Sequence, residues 1–372
     1  MKKLILMFIE RIDGRFSTQL LRKNFAKRYL KTRTAAVGGI PQISPDNKRR
    51  INDYWKNGLG IKVTYQYFAM YNKVIANNGF DVRYIPDDLF FIYLDPYYNN
   101  VIAAKWLDDK NLYDLLFADV KRPITIARKM GGNLLDKDYN NANVETIINQ
   151  CKAQGEVIFK KSIDSEGGKG VQIINSQEDV TGLRAALQAP NDFVVQGILI
   201  QHPDVAAIHK DSINTIRVMT LIHNQEVYIL SCILRMGRGG KRVDNASSGG
   251  LFCGIDDKGC LRKHAYDYDG FLFDIHPTSG VVFEGYHIPG IDEIKKIVIQ
   301  KALRLSRFCK MVSWDFAIGE DGNPIFIEVN LSYGEVNFHQ MTNGPLLKDL
   351  TPSVIKEVFA DSKKRRLNRL LY

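Results

Sequence analysis

The tightest constraint in the sequence is a pair of apolar runs joined by an Asp-Gly turn. Ser313-Trp314-Asp315-Phe316-Ala317-Ile318 leads into Glu320-Asp321-Gly322-Asn323-Pro324, and Ile325-Phe326-Ile327-Glu328-Val329-Asn330 follows. Two such runs around Asp-Gly predict a β-hairpin. Alternation puts Glu328 and Asn330 on one face of the second strand, and Asp315 can lie across from them. Two carboxylates and one amide oxygen make an all-oxygen set. It suits Mg²⁺ held between protein and phosphates, with waters completing the octahedron. A hairpin with a solvated acidic face is the other reading of this segment taken alone.

The chain has room for such a site. Its 372 residues are enough for two or three domains, and 45% hydrophobic with 25% charged content is ordinary for a globular protein. No run approaches the roughly 20 apolar residues of a spanning helix. The opening Met1-Lys2-Lys3-Leu4-Ile5-Leu6-Met7-Phe8-Ile9-Glu10-Arg11 has a short apolar block that runs into charge without a small-residue cleavage site, and reads as part of the mature protein. Cys151, Cys232, Cys253, Cys260 and Cys309 form no CxxC pair. An odd, scattered set predicts reduced thiols and a cytoplasmic setting.

The net charge of +10 is concentrated at the start. Residues 1–50 carry thirteen Lys and Arg against three acids, so the remaining 322 residues are near neutral. Lys363-Lys364-Arg365-Arg366 and Arg369 form a second basic cluster. Leu21, Phe25 and Tyr29 repeat every four residues, which predicts an amphipathic basic helix. Such a helix can lie on the inner face of an anionic membrane or meet an acidic polymer such as a glycan. Packing on its own protein is the equal alternative. Nucleic acid is the weaker option, because no binding motif accompanies the charge.

Residues 1–50 read as a basic helical segment ending at Gly38-Gly39-Ile40-Pro41, and 51–108 as a small α/β or mostly helical domain. Beyond Asp109 a helix at Asn111–Phe117 precedes short strands alternating with helices to about residue 195. Longer strands follow at Phe193–Val195, Ile216–Ile222 and Val227–Leu234, with helices at Ile291–Leu305 and Pro352–Phe359. Helices and strands without strict βαβ alternation predict an α+β fold.

Three further features bear on chemistry. The strand Glu156-Val157-Ile158-Phe159-Lys160 is followed by Ser162-Ile163-Asp164-Ser165-Glu166-Gly167-Gly168-Lys169-Gly170 and a second strand, Val171-Gln172-Ile173-Ile174. A Gly-rich loop between strands can close backbone N–H groups over phosphate oxygens, and Lys160 can reach them as a point charge. The loop is neither a Walker sequence nor a dinucleotide fingerprint. Arg217 and Arg235 each sit in an apolar strand, where arginine needs an anion or an acid. A structural salt bridge explains either one alone; a bound polyphosphate explains both beside a metal hairpin. The polar loop Lys241-Arg242-Val243-Asp244-Asn245-Ala246-Ser247-Ser248-Gly249-Gly250 comes next.

This order of parts resembles the ATP-grasp superfamily, and within it the sugar-transfer-associated group, related to α-L-glutamate ligases. Gln201-His202-Pro203, Asn214-Thr215-Ile216-Arg217-Val218, Leu234-Arg235-Met236-Gly237-Arg238-Gly239-Gly240, Val243-Asp244-Asn245 with Ser248-Gly249-Gly250, and Trp314-Asp315 with Glu328-Val329-Asn330 carry the likeness, over about residues 105–345. The resemblance implies two α/β subdomains clasping ATP, at 109–195 and 196–350, with 351–372 as a basic helix or tail. It implies that Lys110 and Lys160 touch the α- or β-phosphate, and that Ser165, Gly167, Gly168 and Gly170 form a lid over the triphosphate. It further implies that Gln196, Gly197, Ile198 and Leu199 are the hinge whose backbone meets adenine. Arg217 and Arg235 would neutralise the γ-phosphate or hold the acid substrate, with Asn245 between nucleotide and acceptor. Asp315, Glu328 and Asn330 would bind Mg²⁺. Two departures stand out: Gln196 replaces the frequent hinge glutamate, and Ser313 occupies a position where many ligases have arginine. The implied reaction joins a carboxylate to an amine through an acyl phosphate, as in joining an amino acid to a uronic acid in cell-surface polysaccharide synthesis. A sugar kinase on the same fold and a non-catalytic nucleotide-binding protein are the alternatives.

Overall fold

The computed structural model describes residues 20–27, 30, 34, 38–74, 80–163, 170–240, 249–332 and 334–360. The chain divides into two compact units: residues 1–98, 266–273 and 335–372 in the first, and 99–265 with 274–334 in the second.

The first unit is helical over most of its described residues, the mostly helical alternative for the 51–108 segment. Ser44 caps the helix Pro45–Ile51, its side chain accepting from the backbone N–H of Asn47. The turns of Asn52–Gly58 and the helix Tyr65–Val74 then bury Trp55, Tyr67, Phe68 and Tyr71. The later helices Val336–Asn343 and Thr351–Ala360 return to this core: Gln340 pairs with both backbone groups of Ile85, and the hydroxyls of Tyr97 and Tyr98 donate to Glu357. Residues 20–27 are helical, with Arg22, Phe25 and Ala26 half-buried and the other five exposed. Phe25 stacks on Phe91 with ring centroids 6.0 Å apart, and Arg22 bonds the buried carboxylate of Asp88 at 2.5 Å. So the predicted basic helix packs on its own protein here; Leu21 is exposed. Tyr29 and the basic stretch 361–372 lie outside the described residues. Among the described residues no helix is long and apolar enough to cross a membrane.

The second unit holds two sheets. The smaller is antiparallel: β1 (Thr125–Met130), β2 (Asn133–Asp136), β3 (Glu156–Lys161), β4 (Val171–Asn175) and β5 (Phe193–Gly197), in the order β2-β1-β5-β3-β4. Helices Val144–Gln154 and Val180–Gln188 bury Ile147, Ile148, Leu183 and Leu187 against Val157, Phe159 and Val195. The larger sheet runs β9-β8-β7-β6-β11-β12, from β6 (Thr215–His223), β7 (Glu226–Met236), β8 (Leu251–Ile255), β9 (Leu261–Asp267), β11 (Met311–Ile318) and β12 (Pro324–Asn330). The short β10 (Leu272–Phe273) follows β9 within the first unit. Every residue of β6 and β11 is buried, as central strands covered on both faces must be. Helix Ile291–Leu305 matches its sequence-predicted bounds and packs on β6 and β7. The predicted helix at Asn111–Phe117 is instead a short 3₁₀ turn, Lys110–Leu112, leading into Tyr113–Leu116. A tight turn capped by Asp109 starts it, and Phe117 ends it in a non-helical conformation.

Gln201 and Asn214, both among the family-like motifs, lock the loop that feeds β6. The Asn214 amide donates to Gln201 Oε1 (3.1 Å), Val205 O (2.9 Å) and His209 O (2.8 Å), while Gln201 donates to His209 O and Ser212 O. Asn214→Ala should therefore destabilise the protein by about 1–3 kcal/mol, because buried carbonyls lose their partners. Urea denaturation checks this; an unchanged midpoint would show that the loop does not depend on Asn214.

Candidate functional site

The hairpin forms as its sequence requires, with one departure from strict alternation. β11 and β12 pair Ser313 with Asn330, Trp314 with Val329 and Asp315 with Glu328, but Phe316 with Phe326. Ile327 is therefore an extra residue, a β-bulge. Without it, Phe326 and Glu328 would share a face. With it, Trp314, Phe316, Phe326 and Val329 form an apolar side, and Ser313, Asp315, Glu328 and Asn330 a polar one. Phe117 packs on the apolar side, 4.8 Å from Phe326 and 5.8 Å from Trp314 between ring centroids.

A row of charge runs across the polar side. Arg217 on β6 lies opposite Asp315, and Asp315 opposite Glu328. Arg217 grips Asp315 with two bonds, Nε to Oδ1 at 2.7 Å and Nη2 to Oδ2 at 2.6 Å. Arg235 on β7 adds Nη1 to Oδ2 at 3.2 Å. Lys110 Nζ lies 2.9 Å from Glu328 Oε2. The Asn330 amide approaches Asp315 Oδ2 at 3.4 Å. Asp315 is only 2% exposed, so its pairing is required rather than optional. Burial opposes ionisation of Glu328, but Lys110, Arg217 and Arg235 overcome it and hold the carboxyl down at about 2. Burial likewise opposes the Lys110 charge, and Glu328 and Asp108 outweigh it, so its ammonium lies above its ordinary value.

One residue without a sequence signal supports this row. Tyr113 donates to Asp108 Oδ1 at 2.9 Å and accepts from the backbone N–H of Val329 at 3.4 Å, beside Glu328. No spacing rule connects Tyr113 to a strand 216 residues away.

The phosphate-binding candidates surround the smaller sheet. The backbone N–H of Lys110 donates to Ser162 O at 3.0 Å, two residues beyond Lys160 on β3. Lys161 N donates to Gly170 O at 3.2 Å and closes the mouth of the Gly-rich loop. Gly170 has φ +81°, a left-handed conformation suited to glycine. Ser165, Gly167 and Gly168 lie outside the described residues, as does Asn245. Gln196 and Gly197 end β5, the central strand of the smaller sheet, and Ile198 and Leu199 lead out of it. Beyond them, His202 N donates to Ile318 O and Glu320 N to Ile200 O, tying this segment to the end of β11.

The donor set fits a shared rather than a caged cation. Among the described residues no group of three or more His, Cys, Asp and Glu is placed to hold a metal ion by itself. Two carboxylates and one amide leave most of an Mg²⁺ octahedron to phosphate oxygens and water, which is how Mg²⁺ commonly binds with nucleotides.

The sequence matches the family described as sugar-transfer associated ATP-grasp over residues 91–356. The chain belongs to this family. Solved structures similar to it include D-alanyl-alanine synthetase A from Vibrio cholerae, at 11% identity and a TM-score of 0.41, covering 71% of this chain and 66% of that one. ATP-grasp ligase PsnB complexed with minimal precursor is similar at 14% identity and a TM-score of 0.39, covering 70% and 64%. D-cycloserine synthetase DcsG is similar at 12% identity and a TM-score of 0.41, covering 67% and 71%. The chain spans just under two thirds of the length of the first two. A search of curated proteins found no match.

The Glu328 shift has a defined pH signature. Its folded value is about 2 against an ordinary 4.5, so its stabilising contribution is complete above 4.5 and is lost as pH falls towards 2. Glu328→Gln should remove that part of the acid limb. Stability of wild type and variant, measured by denaturant titration from neutral pH to pH 2, should converge at the acid end. Parallel curves would show that Glu328 is not held in its ionised form by this row.

Proposed function

We propose that this ATP-grasp protein is an ATP-dependent carboxylate–amine ligase acting in cell-surface polysaccharide assembly. The observation that carries the reading is the Arg235–Arg217–Asp315–Glu328–Lys110 row. Three cations face two carboxylates on one side of a sheet, a surplus suited to a polyanionic nucleotide. The substrates would be ATP, a carboxylate such as a uronic acid, and an amino acid or other amine. The family's association with sugar transfer supports the glycan setting.

A carboxylate oxygen would attack the γ-phosphorus of ATP, forming an acyl phosphate and releasing ADP. The amine would then attack the acyl carbon, and phosphate would leave as the amide forms. Phosphoryl transfer depends mainly on positioning and charge neutralisation. Lys110 and Lys160 would hold the α- and β-phosphates. Arg217 and Arg235, kept in place by Asp315, would face the negative charge that gathers at the γ-phosphate and the acid. Bound by Glu328, Asn330 and Asp315, Mg²⁺ would neutralise phosphate charge. Gln196 to Leu199 would meet adenine by backbone groups. The Gly-rich segment ending at Gly170 would shield the acyl phosphate from water, and Asn245 would lie towards the acceptor. The protein would work at the cytoplasmic side of the membrane, its basic ends towards an anionic surface or an acidic glycan.

ADP release should be slow with ATP alone and fast when a uronic acid and an amine are both supplied. Hydroxylamine should trap the activated acid as a hydroxamate. A stable phosphorylated product with no amine dependence would make the protein a phosphotransferase instead.

The two carboxylates should also behave differently on substitution. Glu328→Gln should lower turnover by about a hundredfold or more while the fold persists. Asp315→Asn should cost about 3–5 kcal/mol of stability, since it leaves two buried guanidinium groups without their counterion. Comparing kcat with the denaturation midpoint for each variant separates the roles. Normal turnover in Glu328→Gln would remove Glu328 from the site.

A further inference from the structure

Outside the ATP-grasp site, the first unit contains an open hollow of about 460 Å³ lined by residues from the helix at 22–27, by Leu30 and Ile40, and by residues from 62–66. Among the described residues its wall carries four cationic side chains, Arg22, Lys23, Lys27 and Lys62, and no acid. Ala26, Leu30 and Val63 supply an apolar side, and Thr64 and Gln66 polar groups.

Arg22 is the informative member. Its Nε donates to Asp88 Oδ2 at 2.5 Å, and Asp88 is fully buried. That bond fixes the plane of the guanidinium. Nη1 and Nη2 have no partner among the described residues, and Arg22 lines the hollow. Lys23 and Lys27 stand one helical turn apart on the same face, where like charges repel. Lys62 adds a third charge from another segment, and none of the three lysines has an acidic partner among the described residues. The burial of Asp88 by itself requires the Arg22 pair. A bound anion accounts for the three lysines crowded beside the outer end of that arginine.

We propose that this cavity is a binding site for a phosphate ester carrying two or more negative charges. Asp88 pairs with Arg22, and the neighbouring buried Asp87 accepts from the Tyr71 hydroxyl; the three exposed lysines are left for the ligand. One carboxylate would leave most of that charge unmet; a diphosphate would not. A planar guanidinium presenting two N–H groups matches phosphate oxygens, and lysines serve them as point charges. The volume lies within the roughly 300–1,000 Å³ typical of small-molecule sites, and the apolar side suits an ester with an organic group. Such a phosphate could belong to a soluble ester or to a lipid head group. The proposal does not depend on the ligase reading.

The test uses the full chain and two probes: inorganic pyrophosphate, followed by calorimetry, and phosphatidylcholine vesicles with or without phosphatidic acid, followed by flotation. Lys23→Gln, Lys27→Gln and Lys62→Gln together should weaken binding at least tenfold. These lysines are exposed, so the melting temperature should hold. Should the triple variant unfold, Lys62→Gln alone should still weaken binding about threefold. Arg22→Lys keeps the charge but loses the fork and should also bind more weakly. Lys160→Ala, at the candidate nucleotide site, should leave this binding intact. Pyrophosphate binding alone would identify a soluble ester, and uptake that needs phosphatidic acid a lipid head group. Binding of neither probe would overturn the proposal. So would a folded triple variant that binds like wild type, or binding lost in Lys160→Ala and kept in the triple variant.

Discussion

Asp315 sets the terms for the larger sheet. A carboxylate buried in the middle of a β-sheet is tolerated only if its charge is matched and its oxygens are bonded. Here Arg217 occupies both oxygens and Arg235 adds a third contact, from the two strands next in order. The arrangement works in one register. A slip of β6 by a single residue would turn Arg217 to the opposite face and leave Asp315 and both arginines uncompensated. The charges that suit the site to an anion thus also align the strands that carry it, and the fold and the chemistry cannot be varied independently at these positions.

The bulge at Ile327 solves a local conflict. The second hairpin strand must supply Phe326 to the aromatic cluster with Phe117 and Trp314, and Glu328 to the opposite, charged side. Side chains two apart on a regular strand share a face, so regular pairing cannot satisfy both. One unpaired residue shifts the phase, and bulges commonly re-aim side chains beside functional sites in this way. The same bulge keeps Glu328 and Asn330 in phase, because both lie beyond it.

These two features separate what the sequence disclosed from what it did not. The hairpin, the shared face of Glu328 and Asn330 and the place of Asp315 opposite Glu328 follow from periodicity and an Asp-Gly turn, which are local. Helix Ile291–Leu305 was legible because one apolar stripe runs its whole length. The bulge was not legible, since nothing in Ile325-Phe326-Ile327 marks one isoleucine as extra. The destination of the two arginines was open for another reason: apolar strands with one arginine announce that a counter-charge exists, not which one it is. Asp315 proved to be that partner, 98 residues from Arg217 and 80 from Arg235. Tyr113 was invisible because its partners come from tertiary packing alone. Gln201 and Asn214 carry a different lesson. They contributed to the family likeness, yet their amides hold the loop before β6, so part of a functional signature here is architecture.

The Lys110–Glu328 pair gives the site its readiness to exchange partners. Lys110 enters from the turn anchored to the smaller sheet, and Glu328 from the edge strand of the larger one. Their contact is an ammonium–carboxylate pair at 2.9 Å, one of several links between the elements of the two sheets. Asp315 is gripped by a rigid fork on two sides; Glu328 is held by one flexible side chain that presents a point charge. On the proposed reading, a phosphate competing for Lys110 would give that ammonium a new anion and release a Glu328 oxygen. A divalent cation would then restore the balance around Glu328. Nucleotide and metal would therefore favour each other's binding, because Lys110 and Glu328 both stay paired only when both exchanges occur.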